Sequence, residues 1–245
     1  MGTSHGIKIP QSTGHSSPAI RFVGVIASMD ELRVALSTSA PAKRRGAPDL
    51  FELRLDHLPK LEPKQVHKLR RPLIITARHP TEGGRTLAVP RRDLLLKWLP
   101  HAQFIDLELR SLRELRDVWD EAGRLHRKRI CSVHHVNRTP PHRLLRKQFQ
   151  RATAAGADIF KLVTRADAPR DLATLLGFLT AAKRPCCVMA IGPFGLISRL
   201  VFPECGSVLV YGAIEHALYP GQPTVAEVRR LGVLLRENEP RRAKL

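Results

Sequence analysis

Eight short runs of apolar and β-branched residues recur along the chain, at positions 22–27, 50–55, 72–77, 103–107, 130–134, 158–163, 186–191 and 207–211. Each is strand length and is followed by polar or turn-forming residues, which predicts eight β-strands. Between most of them the apolar positions recur every three or four residues, as at 109–124, 141–155, 168–182 and 224–236, and these stretches are predicted helices. Offsets of roughly twenty to thirty residues from strand to strand suit a βα unit. Eight such units predict a single closed parallel (β/α)8 TIM barrel rather than an open sheet.

Length and composition agree with one domain. A chain of 245 residues is long enough to bury a core without disulfides or metals, and no seam divides it. The barrel is assigned to 18–245. Residues 1–17 are polar and rich in Gly, Ser and His, lack the apolar stretch of a secretory signal, and are expected to form a flexible tail. No window approaches the roughly eighteen uninterrupted apolar residues of a membrane span. The four cysteines, Cys131, Cys186, Cys187 and Cys205, show no C-x-x-C spacing, and adjacent Cys186 and Cys187 must face opposite sides of a strand. A reducing, cytoplasmic setting is the expectation.

Charge opens another class of function. There are 41 Lys and Arg against 22 Asp and Glu, a net charge of +19, which attracts polyanions. The basic residues fall in scattered pairs and triples such as Lys43-Arg44-Arg45 and Arg127-Lys128-Arg129, and aromatics are 5% of the chain, too few for a base-stacking platform. Solvated helix faces explain the charge better than a nucleic-acid surface.

Barrel enzymes carry their chemistry at the carboxyl ends of the strands, so polar residues matter most there. With a side-chain period of two, Glu52, Arg54 and Asp56 share one face of the second strand, opposite Phe51, Leu53 and Leu55. That face reads equally as a structural ion-pair network or as a binding surface. Arg78 ends the third strand, placed to grip an anion as a two-pronged fork, and Gly83 and Gly84 let the following loop fold Glu82 back over the mouth. Asp106 and Glu108 share a face of the fourth strand.

On the fifth strand His134 and His135 must diverge, one toward the barrel interior and one toward the helices. The sixth strand holds one lysine, Lys161, in an otherwise apolar run. A buried lysine flanked by cations loses its proton easily, and the neutral amine attacks carbonyls; a snorkelling structural lysine is the bland alternative. After the seventh strand, glycines precede a helix start and Arg199, a place for a carboxylate or phosphate. After the eighth, Leu218, Tyr219, Pro220, Gly221 and Gln222 form a candidate lid loop carrying one polar contact.

These motifs together resemble the type I 3-dehydroquinate dehydratase family. They are Glu-x-Arg-x-Asp (Glu52, Arg54, Asp56), Thr-x-Arg with Glu-Gly-Gly (Thr76, Arg78, Glu82), Asp-x-Glu (Asp106, Glu108), Ser-x-His (Ser132, His134), Gly-Ala-Asp-Ile-x-Lys ending at Lys161, Gly-x-x-Ser-Arg (Gly195, Ser198, Arg199) and Pro-Gly-Gln (Pro220, Gly221, Gln222). The resemblance implies a (β/α)8 barrel, commonly a homodimer, that removes water from 3-dehydroquinate to give 3-dehydroshikimate in the shikimate pathway, with no metal or organic cofactor. It assigns imine formation to Lys161, general base and acid work to His134, and orientation of that histidine to Glu82. Substrate binding falls to Glu52, Arg54, Arg78, Arg199 and Gln222, with Asp106 and Glu108 in support.

Two positions depart from the family pattern. His135 replaces an aspartate, and by strand alternation it lies behind the barrel wall. Leu218 replaces a lid serine that contacts substrate, a loss of about 0.5–1.5 kcal/mol of hydrogen bonding. Two other classes compete: a class I aldolase-like barrel acting on a related anionic keto substrate, and a basic, non-catalytic binding protein.

Overall fold

The structure, a computed structural model, describes residues 20–38, 46–217, 219 and 221–237. The predicted tail at 1–17, and Leu218 and Pro220 of the lid loop, lie outside the described residues. Eight strands are present: β1 (Arg21–Ile26), β2 (Leu50–Arg54), β3 (Leu73–Thr76), β4 (Phe104–Glu108), β5 (Lys128–His135), β6 (Ile159–Arg165), β7 (Cys186–Ile191) and β8 (Leu209–Ala213). Every ladder between them is parallel, in the order β7-β6-β5-β4-β3-β2-β1-β8. The two ends of that order meet where the Val208 N–H reaches Cys186 O at 2.9 Å and the Val188 N–H reaches Ser207 Oγ at 3.0 Å. The sheet is thus a nearly closed (β/α)8 barrel, as the strand spacing predicts.

Seven α-helices follow the strands among the described residues: α1 (Met29–Thr38), α2 (Arg91–Trp98), α3 (Arg116–Arg124), α4 (His142–Ala154), α5 (Pro169–Ala181), α6 (Gly195–Val201) and α7 (Val225–Glu237). Between β2 and β3 the chain makes only a 3₁₀ turn at Pro63–Gln65. The helix predicted over 109–124 begins seven residues later than its apolar spacing suggests. Ser111 explains the delay: its hydroxyl donates to Glu108 Oε2 at 2.7 Å and accepts from Arg91 Nη1 at 3.2 Å, which ties this segment to the barrel mouth as turns.

Strand alternation divides the core in two. Leu53, Ile75, Ala77, Ile105, Leu107, Cys131, Val133, Phe160, Leu162 and Cys186 face the helices, packing with residues such as Leu94, Leu95, Trp98 and Trp119. Burial of each large side chain there contributes about 1.5–3 kcal/mol. Val23, Leu50, Ile74, Phe104, Ile130, Cys187 and Leu209 fill the barrel interior. The vicinal cysteines fall on opposite sides of the wall, as expected. His135 points outward, its Nε2 3.0 Å from Gln148 Oε1 of α4.

Candidate active site

The inward parity that carries Leu50, Ile74, Phe104 and Ile130 at the bottom of the barrel carries Glu52, Arg78, Asp106, Glu108, Ser132, His134 and Lys161 toward its carboxyl end. Lys161, 3% exposed, donates from Nζ to Glu52 Oε2 at 3.0 Å and to Asp106 Oδ2 at 2.9 Å. Nζ also lies 3.8 Å from the centroid of the Tyr211 ring. The sequence reading of an amine pressed by cations is therefore corrected: carboxylates and a ring face flank it, because Glu52 and Asp106 reach it across the barrel interior from strands not adjacent to β6, a meeting the local sequence does not encode.

Arg78 does not present an open fork either. Nη1 and Nη2 bond Asp106 at 3.1 and 2.7 Å, and Nη1 also reaches Glu108 at 3.0 Å and Ser132 Oγ at 2.6 Å. Burial opposes its charge, but Asp106 and Glu108 more than compensate and hold the guanidinium well above its ordinary range. Asp106 is correspondingly held well below the usual carboxylate range: burial would raise it, and Arg78 and Lys161 override that. Arg91 completes the network, with Nη2 2.6 Å from Glu108 Oε2. The charges of Glu52, Asp106 and Glu108 thus meet those of Lys161, Arg78 and Arg91, so Arg78 sits in an ion-pair network where the sequence reading expected a fork open to an anion.

Arg54 grips Asp56 through Nε at 2.9 Å and Nη2 at 2.8 Å, and its Nη2 also reaches Gly83 O at 3.2 Å. Asp56 accepts the main-chain N–H groups of Arg78 and Arg85, each at 3.2 Å. These bonds hold the loop that carries Glu82. The loop turns at Pro80–Glu82 and is capped by Gly83 at φ 87°, a left-handed conformation that disfavours a side chain. At Gly84 a Cβ would lie 1.9 Å from Arg78 O, so only glycine fits.

Folded back in this way, Glu82 places Oε2 2.9 Å from the main-chain nitrogen of His134 and 2.9 Å from its Nδ1. A carboxylate accepting there fixes the proton on Nδ1 and leaves Nε2 with its lone pair. Burial, the Arg78 guanidinium and the Lys161 amine keep the imidazole well below its ordinary pKa, so it rests neutral. Burial and the neighbouring Glu108 push the Glu82 carboxyl up to about 7. In the β5–β6 ladder Ser132 pairs with Lys161, and His134 lies two residues further along the same face.

On the far wall Arg199, 3% exposed, is fixed by main-chain oxygens: Nε to Tyr211 O at 2.7 Å, and Nη1 to Ala190 O and Gly195 O, each at 2.8 Å. Its Nη2 meets the Tyr219 hydroxyl at 2.7 Å. Gln222 is buried and its N–H reaches Tyr219 O at 3.2 Å.

Sequence reasoning missed Arg91 and Tyr211 as parts of this site, and it placed Tyr219 in the lid loop without its contact to Arg199. The chain has only two tyrosines, and both meet it, Tyr211 against Lys161 and Tyr219 against Arg199. Tyr211 shares the inward parity of Leu209, which was signal enough. Arg91 starts a helix on the outer layer, and nothing in its sequence surroundings marks it.

An eight-stranded parallel barrel with a buried lysine, an oriented histidine and a fixed guanidinium among its strand ends belongs to the class of (β/α)8-barrel enzymes. The sequence profile of the family described as Type I 3-dehydroquinase matches residues 25–239. The chain belongs to that family. It is 35% identical over 225 residues to the 3-dehydroquinate dehydratase of Methanosarcina barkeri, covering 83% of this chain and 92% of that protein. It is 32% identical over 200 residues to that of Aquifex aeolicus, covering 78% and 89%. Among solved structures, the Aquifex aeolicus 3-dehydroquinate dehydratase superposes with a TM-score of 0.71 at 28% identity, covering 91% of this chain and 100% of the other. The type I 3-dehydroquinate dehydratase of Clostridium difficile, solved with covalently modified comenic acid, gives 0.77 at 25% identity, covering 89% and 93%.

Proposed function

We propose that this chain dehydrates 3-dehydroquinate to 3-dehydroshikimate through an imine on Lys161, with His134 moving the protons. The observation that carries the reading is the placing of the two groups: Lys161 and His134 share the inner face of adjacent strands at the carboxyl end of the barrel, with the amine between Glu52 and Asp106.

Lys161 first gives up a proton to a neighbouring carboxylate, and its lone pair then attacks the C3 ketone. The carboxylate returns that proton as the oxygen leaves as water, and the protonated imine that remains draws electrons through its nitrogen from the adjacent carbon and loosens the C2 proton. Nε2 of His134, free because Glu82 holds Nδ1, takes it. The imidazolium then returns a proton to the C1 hydroxyl, which leaves as water, and hydrolysis of the imine frees the enone. Glu52 and Asp106 fit this course, since the nitrogen is cationic before the attack, as ammonium, and after it, as iminium, and the two carboxylates lie beside it in both states.

In this reading Arg199 takes the substrate carboxylate and Gln222 a ring hydroxyl. Glu52 touches the imine nitrogen, whereas Arg78 and Arg54 act through the carboxylates and the loop they hold. The direct test is to mix the purified protein with 3-dehydroquinate and follow the ultraviolet absorbance of the conjugated product. Steady formation by the wild type and none by Lys161→Ala is expected; equal rates from both would rule the lysine out.

A further inference from the structure

Counting hydrogen-bond donors at Arg199 shows that this guanidinium alone cannot hold a carboxylate by both oxygens. It has five N–H groups. Nε–H is given to Tyr211 O, and the two of Nη1 go to Ala190 O and Gly195 O. One N–H of Nη2 goes to the Tyr219 hydroxyl, and the last has only the Met189 thioether, 3.7 Å away and a weak acceptor. One N–H therefore remains for an incoming anion, whereas a carboxylate is gripped well by two parallel donors.

Tyr219 supplies the missing one. Its oxygen accepts from Nη2, so its own O–H is left to donate, and among the described residues it has no acceptor. A hydroxyl that accepts from a cation is polarised and donates more strongly. The geometry points to a composite clamp in which one Nη2–H of Arg199 and the O–H of Tyr219 each take one oxygen of the substrate carboxylate, making Tyr219 a substrate-binding and specificity-determining residue. This deepens the dehydratase reading and rests on it. The tyrosine sits next to Leu218, where the lid lacks a hydroxyl of its own.

The carboxylate is attached to C1, but its charge is the same before and during loss of the C1 hydroxyl, so the clamp binds ground state and transition state nearly alike and is read in KM rather than kcat. In Tyr219→Phe, KM for 3-dehydroquinate should rise about tenfold, the loss expected for one hydrogen bond to a charged group, while kcat stays within about threefold. Circular dichroism spectra of the two proteins, measured alongside, should superpose, showing the fold intact although Arg199 loses one acceptor. An unchanged KM in a variant that still forms a borohydride-reducible adduct on Lys161 would overturn the clamp, and a lowered KM would do so by showing that the hydroxyl blocks the carboxylate site. If the wild type itself neither forms that adduct nor turns over, the dehydratase reading fails instead.

Discussion

One oxygen of Glu82, Oε2, stands 2.9 Å from both the main-chain nitrogen and the imidazole Nδ1 of His134. The double contact fixes the ring's rotation and its tautomer together, and it spans a loop and a strand 52 residues apart. Glu82→Gln keeps an acceptor oxygen but removes the charge. We expect kcat to fall about 10–100-fold, as for loss of a group that orients a catalytic one, with imine trapping at Lys161 retained. Loss of trapping in this variant would mean that Glu82 serves the lysine rather than the histidine.

The same carboxyl sets a pH dependence. Its ordinary value of 4.5 is pushed up to about 7 by burial and Glu108, so the ionised form that orients His134 is filled only as pH rises through that value. kcat/KM should climb from pH 5.5 to about 8 along a single-proton limb near 7, and Glu82→Gln should flatten that limb. A wild-type profile that is level across this range would contradict the assignment.

Stability should move the opposite way. Between pH 4.5 and 7 the folded chain holds a proton on Glu82 that the unfolded chain has released, so this group's contribution falls as pH rises. The cost approaches about 3 kcal/mol above pH 7. Glu82→Gln should therefore unfold at a higher temperature than wild type at pH 8 and match it more closely at pH 5. Differential scanning calorimetry at the two pH values checks this, and a stabilisation that is larger at pH 5 would refute it.

Arg78 is the keystone of the inner ion pairs. Arg78→Met leaves Asp106 and Glu108 buried with their principal counter-charge gone, a loss of about 3–5 kcal/mol by urea denaturation at pH 7. Both carboxylates are held below their ordinary values of 3.8 and 4.5 in the fold, so the stability they contribute is present at neutral pH and is lost only as pH falls below about 4; the penalty in Arg78→Met should shrink from there downward. A penalty below about 1 kcal/mol at pH 7 would show that the network is not structural.

Strand alternation is local, so the sequence alone puts Glu52, Arg54 and Asp56 on one face of β2, puts Asp106 and Glu108 on one face of β4, and sets His134 opposite His135 on β5. The loop that returns Glu82 was legible too, because Gly83 and Gly84 mark the left-handed turn and close backbone approach that other residues disfavour. Partner choice was not. Lys161 meets Glu52 across 109 positions and Asp106 across 55, and Arg78 reaches Glu108 across 30, distances set by barrel closure. Hence an open anion fork was expected at Arg78 and cationic neighbours at Lys161, where the structure has carboxylates for both. The helix expected from 109 failed for a related reason: Ser111 bonds to the mouth network, which apolar spacing does not register.

A covalent nitrogen–carbon bond to one lysine is the heart of the mechanism, and reduction makes it permanent. Protein mixed with 3-dehydroquinate and treated with sodium borohydride should gain, by intact mass, a single reduced adduct, and peptide mapping should place it on Lys161; Lys161→Ala should gain none. A wild-type protein that turns substrate over without forming the adduct, or that carries it on another lysine, would contradict the mechanism.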